Sequence, residues 1–111
     1  MGTVAAATPP VNIYEWAGQL SVATPIPGAH APHVEIVVTP DRLELDAECK
    51  YAQDAQNYLR RDWQVGAWKL RLDLPHRVAP DGARAVLRHG VLVVMAPISE
   101  QGEGRAQPVV E

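Results

Sequence analysis

Two histidines close together, His30 and His33, are the first candidates for chemistry in this chain. A pair of imidazoles is a beginning of a metal site, which takes three or four ligands. Pro32 between them forbids a regular helix that would present both rings. No cysteine or carboxylate cluster stands beside them, so they read as loop histidines. Cys49 is the single cysteine and has a basic neighbour, Lys50. A thiol nucleophile needs a base, and no histidine lies near it in sequence. It is expected to be a free thiol near a subunit boundary. One cysteine also excludes an intrachain disulfide, which fits a reducing compartment. Arg60 and Arg61, with Lys69 and Arg71, form the only basic concentration, and Asp62 and Asp73 interrupt it. That pattern reads as a solvated face or as ion pairs at a dimer seam, not as a nucleic-acid surface. No phosphate-binding loop, dinucleotide glycine pattern or nucleophile elbow is present. The residue types therefore support no catalysis, no metal and no cofactor.

What remains is binding, and binding depends on the elements that present apolar surface. Trp68, Leu70, Leu72 and Leu74 alternate with Lys69, Arg71 and Asp73. This is the period of a strand with one face buried. Pro75 then ends the ladder, having no N–H to donate. Ala85-Val86-Leu87-Arg88, a His89-Gly90 turn and Val91-Leu92-Val93-Val94-Met95 follow. The last run is apolar on both parities and reads as a strand covered on both faces. Upstream, Val11–Trp16 reads as a strand, Ala17-Gly18 as a turn, and Leu20 and Val22 as inward residues of the next strand. Val34, Ile36 and Val38 share one strand face after a connection that runs to Pro32. Leu43, Leu45 and Ala47 alternate with Glu44, Asp46 and Glu48. Cys49 to Val65 is ambiguous, because Tyr51, Ala55, Tyr58 and Leu59 fall at helical spacing.

The chain has 111 residues, enough for one domain with one core. Its 10 prolines and 8 glycines punctuate short apolar runs, which points to many strands and turns. The net charge of -3 disfavours a nucleic-acid partner. No apolar run approaches the ~20 residues of a membrane span, so no membrane partner is expected. The first residues lack the basic and long apolar regions of a signal peptide.

The same residues carry a resemblance. Gly66-Ala67-Trp68, Leu74-Pro75 and Ala85-Val86-Leu87-Arg88-His89-Gly90-Val91-Leu92-Val93-Val94, closing on Pro97, resemble the alpha-crystallin domain of small heat shock proteins, the Hsp20 family. The Ala-x-x-x-x-Gly-Val-Leu-x-Val signature is complete. Ile26-Pro27-Gly28, Val34–Val38 and Leu43–Glu48 continue it, with Ala47 where a glycine is usual. The resemblance implies an all-β, immunoglobulin-like sandwich of about seven to eight strands over residues 11–97. A flexible arm over 1–10 and a flexible tail over 98–111 flank it.

The resemblance also implies a function and a set of sites. The function is that of a stress-response holdase, which binds partly unfolded client proteins without ATP in the cytoplasm. The alternative is a p23/CS-like co-chaperone or adaptor that binds a folded partner. Val34, Ile36 and Val38, with Ala85 and Leu87, would border a groove for client or for a tail. Pro108, Val109 and Val110 would anchor that tail, although no clear Ile-x-Ile is present. Asn57–Asp62 matches a short strand, carried on a long loop in the bacterial and plant branches, that crosses to a partner subunit. Tyr58, Leu59, Arg60 and Arg61 would then pair with Val11, Ile13 and Tyr14 of a second copy in a strand-exchanged homodimer. Higher oligomers would build on that dimer. Leu70 stands where the family usually has a dimer-contacting arginine, so it is both an interface candidate and, by parity, a core candidate.

Overall fold

The computed structural model describes residues 6–49, 56–63 and 66–111. Seven strands lie among them: β1 (Asn12–Trp16), β2 (Gln19–Pro25), β3 (Ala29–Val38), β4 (Arg42–Cys49), β5 (Ala67–Asp73), β6 (Arg84–Arg88) and β7 (Val91–Pro97). A short 3-10 turn, Pro80–Gly82, precedes β6. The strands form two antiparallel sheets, ordered β1-β2-β7-β6 and β3-β4-β5.

Two hairpins are set by backbone chemistry at their turns. Ala17 and Gly18 both have positive φ (54° and 79°), and so do His89 and Gly90 (53° and 78°). Two successive left-handed residues make the tight turn whose twist matches antiparallel strands, and glycine enters that region without strain. These turns fix the β1–β2 and β6–β7 registers.

The core lies between the sheets. Val34, Ile36 and Val38 of β3 stand opposite Ala47, Leu45 and Leu43 of β4. Leu45 in turn stands opposite Leu70, which is only 5% exposed. The second sheet contributes Leu20, Val22, Leu92, Val94, Ala96 and Ala85. On the outer face of β3-β4-β5, Arg71 reaches both Asp46 (3.0 Å) and Glu44 (3.5 Å), while Arg42 pairs with Asp73 (3.6 Å). The basic residues of β5 are thus matched within their own sheet. Exposed pairs of this kind contribute at most about 1 kcal/mol each.

Two expectations are corrected. β7 is not covered on both faces: Leu92, Val94 and Ala96 are buried, but Val91 is exposed and Val93 and Met95 are half-buried. The outer parity is apolar because it sits mid-sheet, across from Ala23 and Val86 at Val93, not because a second layer covers it. The histidines are not in a loop. Both lie within β3, whose register shifts between Ala29 and Val34 around Pro32, and their rings are 5.8 Å apart. A strand can hold a proline, which has no N–H, where the ladder needs no donor, at an edge or a bulge. Leu70 lies in the core of its own chain, on the face its parity with Trp68 and Leu72 predicts.

Both ends of the described chain are fastened. The Ala7 N–H donates to the Ala67 carbonyl and the Lys69 N–H donates to the Ala7 carbonyl, each at 2.9 Å. The Thr24 hydroxyl donates to the Pro10 carbonyl at 2.8 Å. Beyond β7, the Ser99 N–H donates to the Arg77 carbonyl (2.8 Å), and the Arg77 Nε–H donates to the Gly102 carbonyl (3.1 Å). Gly102 is buried, and a Cβ there would collide with the Val78 carbonyl oxygen. The obstacle is backbone and cannot swing aside. Gly102→Ala is therefore expected to lower thermal stability by about 1–3 kcal/mol, the range of overpacking. Differential scanning calorimetry checks it: an unchanged melting temperature would mean that this turn moves freely.

Candidate functional site

β3 and β6 are edge strands of different sheets, and the chain beyond β7 runs from one to the other. Ala106 forms an antiparallel bridge with Val38, exchanging two backbone hydrogen bonds of 2.9 Å. Val110 forms a parallel bridge with Ala85. There the Glu111 N–H donates to the Ala85 carbonyl (2.9 Å), and the Leu87 N–H donates to the Glu111 carbonyl (2.8 Å). Four extended residues reach about 14 Å, so the segment is long enough to step from one sheet edge to the other. It thereby satisfies backbone groups that an open edge leaves unpaired.

Beside this segment runs an open groove of about 480 Å³ lined by Val34, Ile36 and Val37, and by Pro108, Val109 and Val110 of the tail. Of the five residues expected to border it, Val34, Ile36, Val38 and Ala85 are buried and Leu87 is half-buried. Their side chains belong mainly to the core. Their contribution at the edges is backbone, at Val38, Ala85 and Leu87, together with the apolar flank around Val34 and Ile36. The three tail residues divide by parity. Val110 is half-buried against the core cluster, whereas Val109 is 83% exposed. An extended segment turns alternate side chains to opposite sides, so Val109 is not an anchor. Pro108 fixes its own φ and favours an extended residue before it, which suits the strand-like path.

Three polar participants escaped the sequence reading. Arg84 Nη2 lies 3.5 Å from the Glu111 carboxylate. The Arg88 Nη1–H donates to the Glu111 carbonyl at 3.1 Å. A signal existed in the spacing: two arginines four apart on a strand share a face. It carried no weight until the acidic partner, Glu111, came within reach.

The second set of expected residues stands apart from this groove. β1 is an edge strand with all five residues exposed, among them Ile13 (36%), Tyr14 (50%) and Trp16 (80%), while Val11 just before it packs against the core. Residues 56–63 form neither helix nor strand in the single chain. Leu59 is 97% exposed, the Arg61 guanidinium sits 4.9 Å from the Tyr58 ring centroid, and Arg60 pairs with Asp62 at 3.1 Å. Part of the ambiguous stretch, 50–55 with 64–65, lies outside the described residues. Cys49 is half-buried and lies 3.6 Å from the Pro27 carbonyl oxygen, while the Trp68 indole N–H donates to that same oxygen at 3.1 Å. Among the described residues no group of histidine, cysteine and carboxylates is arranged to hold a metal. No helix among them is long and apolar enough to cross a membrane.

Comparison with known proteins agrees with this architecture. A small heat-shock protein from Xylella fastidiosa superposes with a TM-score of 0.73 at 26% identity, covering 92% of this chain and 95% of that one. HspA from Xanthomonas axonopodis gives 0.73 at 24% identity over 90% of this chain and all of the other. A chloroplastic small heat shock protein from Solanum lycopersicum is 27% identical over 93 residues, which is 82% of this chain but 39% of that protein. The chain thus spans well under half the length of this curated relative. The Hsp20/alpha crystallin family model matches residues 12–110, from the first strand to the residue paired with Ala85, and the chain belongs to that family.

Proposed function

We propose that the protein is an ATP-independent holdase that captures partly unfolded proteins in the β3/β6 groove and on the exposed apolar surface around β1. The observation that carries this reading is how the tail is held. Backbone hydrogen bonds at Val38, Ala85 and Leu87 would accept any extended segment, and the apolar flank needs only a small hydrophobic side chain. Recognition of that kind reads little sequence, which suits clients of many kinds. It makes no use of bond-breaking chemistry, and the reading is of a binding protein and not an enzyme. A homodimer by strand exchange through residues 57–62, assembling further, and a cytoplasmic location complete the proposal.

The tail occupies the groove through one half-buried valine, so its hold is modest. Valine buries one methylene fewer than isoleucine, a difference of about 0.8 kcal/mol. Clients would compete with it readily. The test is light scattering of a heated model client, without ATP, for the parent chain and for a chain ended after Gly104. The parent is expected to suppress aggregation, and the shortened chain to do so at a lower molar ratio. No suppression by either at several-fold molar excess defeats the holdase reading. If shortening abolishes suppression while native mass stays the same, the tail itself is the binding element and the groove is not.

A further inference from the structure

The tail brings opposite charges to opposite ends of the groove. Arg105 lines a hollow with Asp41, Arg42, Glu44 and Asp73, of which Asp73 pairs with Arg42 and Glu44 with Arg71. Six residues on, the Glu111 side-chain carboxylate lies 3.5 Å from Arg84, and its main-chain carbonyl accepts from Arg88 at 3.1 Å. The two arginines share one face of β6 and bracket Val86. Between the ends, the β3 side of the groove carries Glu35 and Asp46. Carboxylates therefore crowd the β3 side and guanidinium groups the β6 side. The chain carries a net charge of -3, so this is local order and not a consequence of overall charge.

We propose that the groove is charge-polarised and selects, both for occupancy and for direction, extended segments that are basic at their N-terminal end and acidic about six residues later. This deepens the groove reading above and rests on it. Backbone pairing alone fixes neither the direction nor the register of a bound segment. A carboxylate at the β3 end would face Asp41, Glu44 and Asp73, and a cation at the β6 end would face Arg84 and Arg88. The preferred partner is thus a peptide of the order basic, apolar, acidic, and the tail Arg105–Glu111 is one example.

Charge swapping within the full chain tests it, read by amide hydrogen exchange in NMR. The Leu87 N–H is protected by the Glu111 carbonyl, so its exchange reports occupancy of the β6 end. Leu92, 1% exposed in the core, reports the integrity of the fold. At low salt Glu111→Arg is expected to speed Leu87 exchange about two- to fivefold, a range set by exposed ion pairs, and to leave Leu92 unchanged. Adding Arg84→Glu and Arg88→Glu to that variant should restore protection to within about twofold, and the effects should shrink in high salt. Two end-capped peptides, Arg-Ala-Gln-Pro-Val-Val-Glu and its charge-swapped form Glu-Ala-Gln-Pro-Val-Val-Arg, are then added to the Glu111→Arg chain. The first should restore Leu87 protection and the second should not. Unchanged exchange in Glu111→Arg, or no recovery in the triple variant, overturns the proposal. Equal protection by both peptides overturns the selectivity and leaves the groove standing, whereas protection by neither overturns both. Since the readout is local exchange, this outcome is separate from whether aggregation is suppressed.

Discussion

Leu70→Arg is expected to unfold the domain under conditions in which the parent chain is native. Leu70 stands opposite Leu45 in the middle of β4–β5 and is 5% exposed among apolar neighbours. The family commonly carries an arginine at the matching position, so this substitution would look like a reversion. In this chain it is not one. The buried polar residues of the described core are Ser21 and Thr24, neither of them a carboxylate. A guanidinium at this site has no partner, and an uncompensated buried charge costs about 3–5 kcal/mol. A domain of this size has about 5–15 kcal/mol of stability in all. At a few °C per kcal/mol, the melting temperature should fall by roughly 15 °C or more. Leu70→Ala should cost about 2–5 kcal/mol through the cavity it leaves, and separates loss of packing from the added charge. Both are measured by thermal and denaturant unfolding at one fixed protein concentration, since association would shift the midpoints. An arginine variant that melts with the parent would show that the side chain escapes the core and finds an acceptor on another chain.

The Leu70 case also shows where the sequence was informative. Strict alternation over Trp68–Leu74 and Leu43–Glu48 identified two core faces, because a one-residue slip would turn every leucine to water. Ala17-Gly18 and His89-Gly90 were legible for the same local reason: few residues adopt a positive φ cheaply. Alternation says nothing about what covers the opposite face, and so Val91–Met95 reads as doubly covered although only Leu92 and Val94 of it are buried. Pro32 reads as the end of a connection in sequence, which does not reveal a bulged edge position where no donor is needed. The groove was partly legible. Of the residues expected through the resemblance, Val34 and Ile36 line it, whereas Val38, Ala85 and Leu87 meet the tail through backbone hydrogen bonds. That Val110 faces in while Val109 faces out depends on where the tail meets Ala85, and no local pattern encodes that register. Arg84, Arg88 and Glu111 were silent because their relation joins positions 23 and 27 apart in the chain and exists only once β6 and the tail are side by side.

Deleting Gln56–Arg61 is expected to halve the native mass without unfolding the chain. β1 pairs only with β2, so its far side offers a row of backbone groups with no strand beside it among the described residues. An edge of that kind invites another strand. Its side chains are unusual for a solvated edge, because Ile13, Tyr14 and Trp16 are all exposed. Residues 56–63 supply a complementary feature. They form no strand in the single chain, yet they expose Leu59 almost fully, and Trp63 is 58% exposed. Burying such side chains is favourable by about 1.5–3 kcal/mol each, which gives the loop a reason to seek an apolar edge. We propose that it pairs with β1 of a second copy, reciprocally, so that two such contacts close the dimer. None of the deleted residues contributes to the core cluster, so the monomer should keep its fold. Its melting curve should stay cooperative. Native mass measured at two concentrations gives the answer. Loss of the dimer with retained folding supports exchange through this loop. An unchanged mass places the subunit contact elsewhere, for which the half-buried outer face of β7 at Val93 and Met95 is the next surface to substitute. A chain that becomes monomeric and still suppresses aggregation would separate the groove from the dimer, and would assign client capture to the single domain.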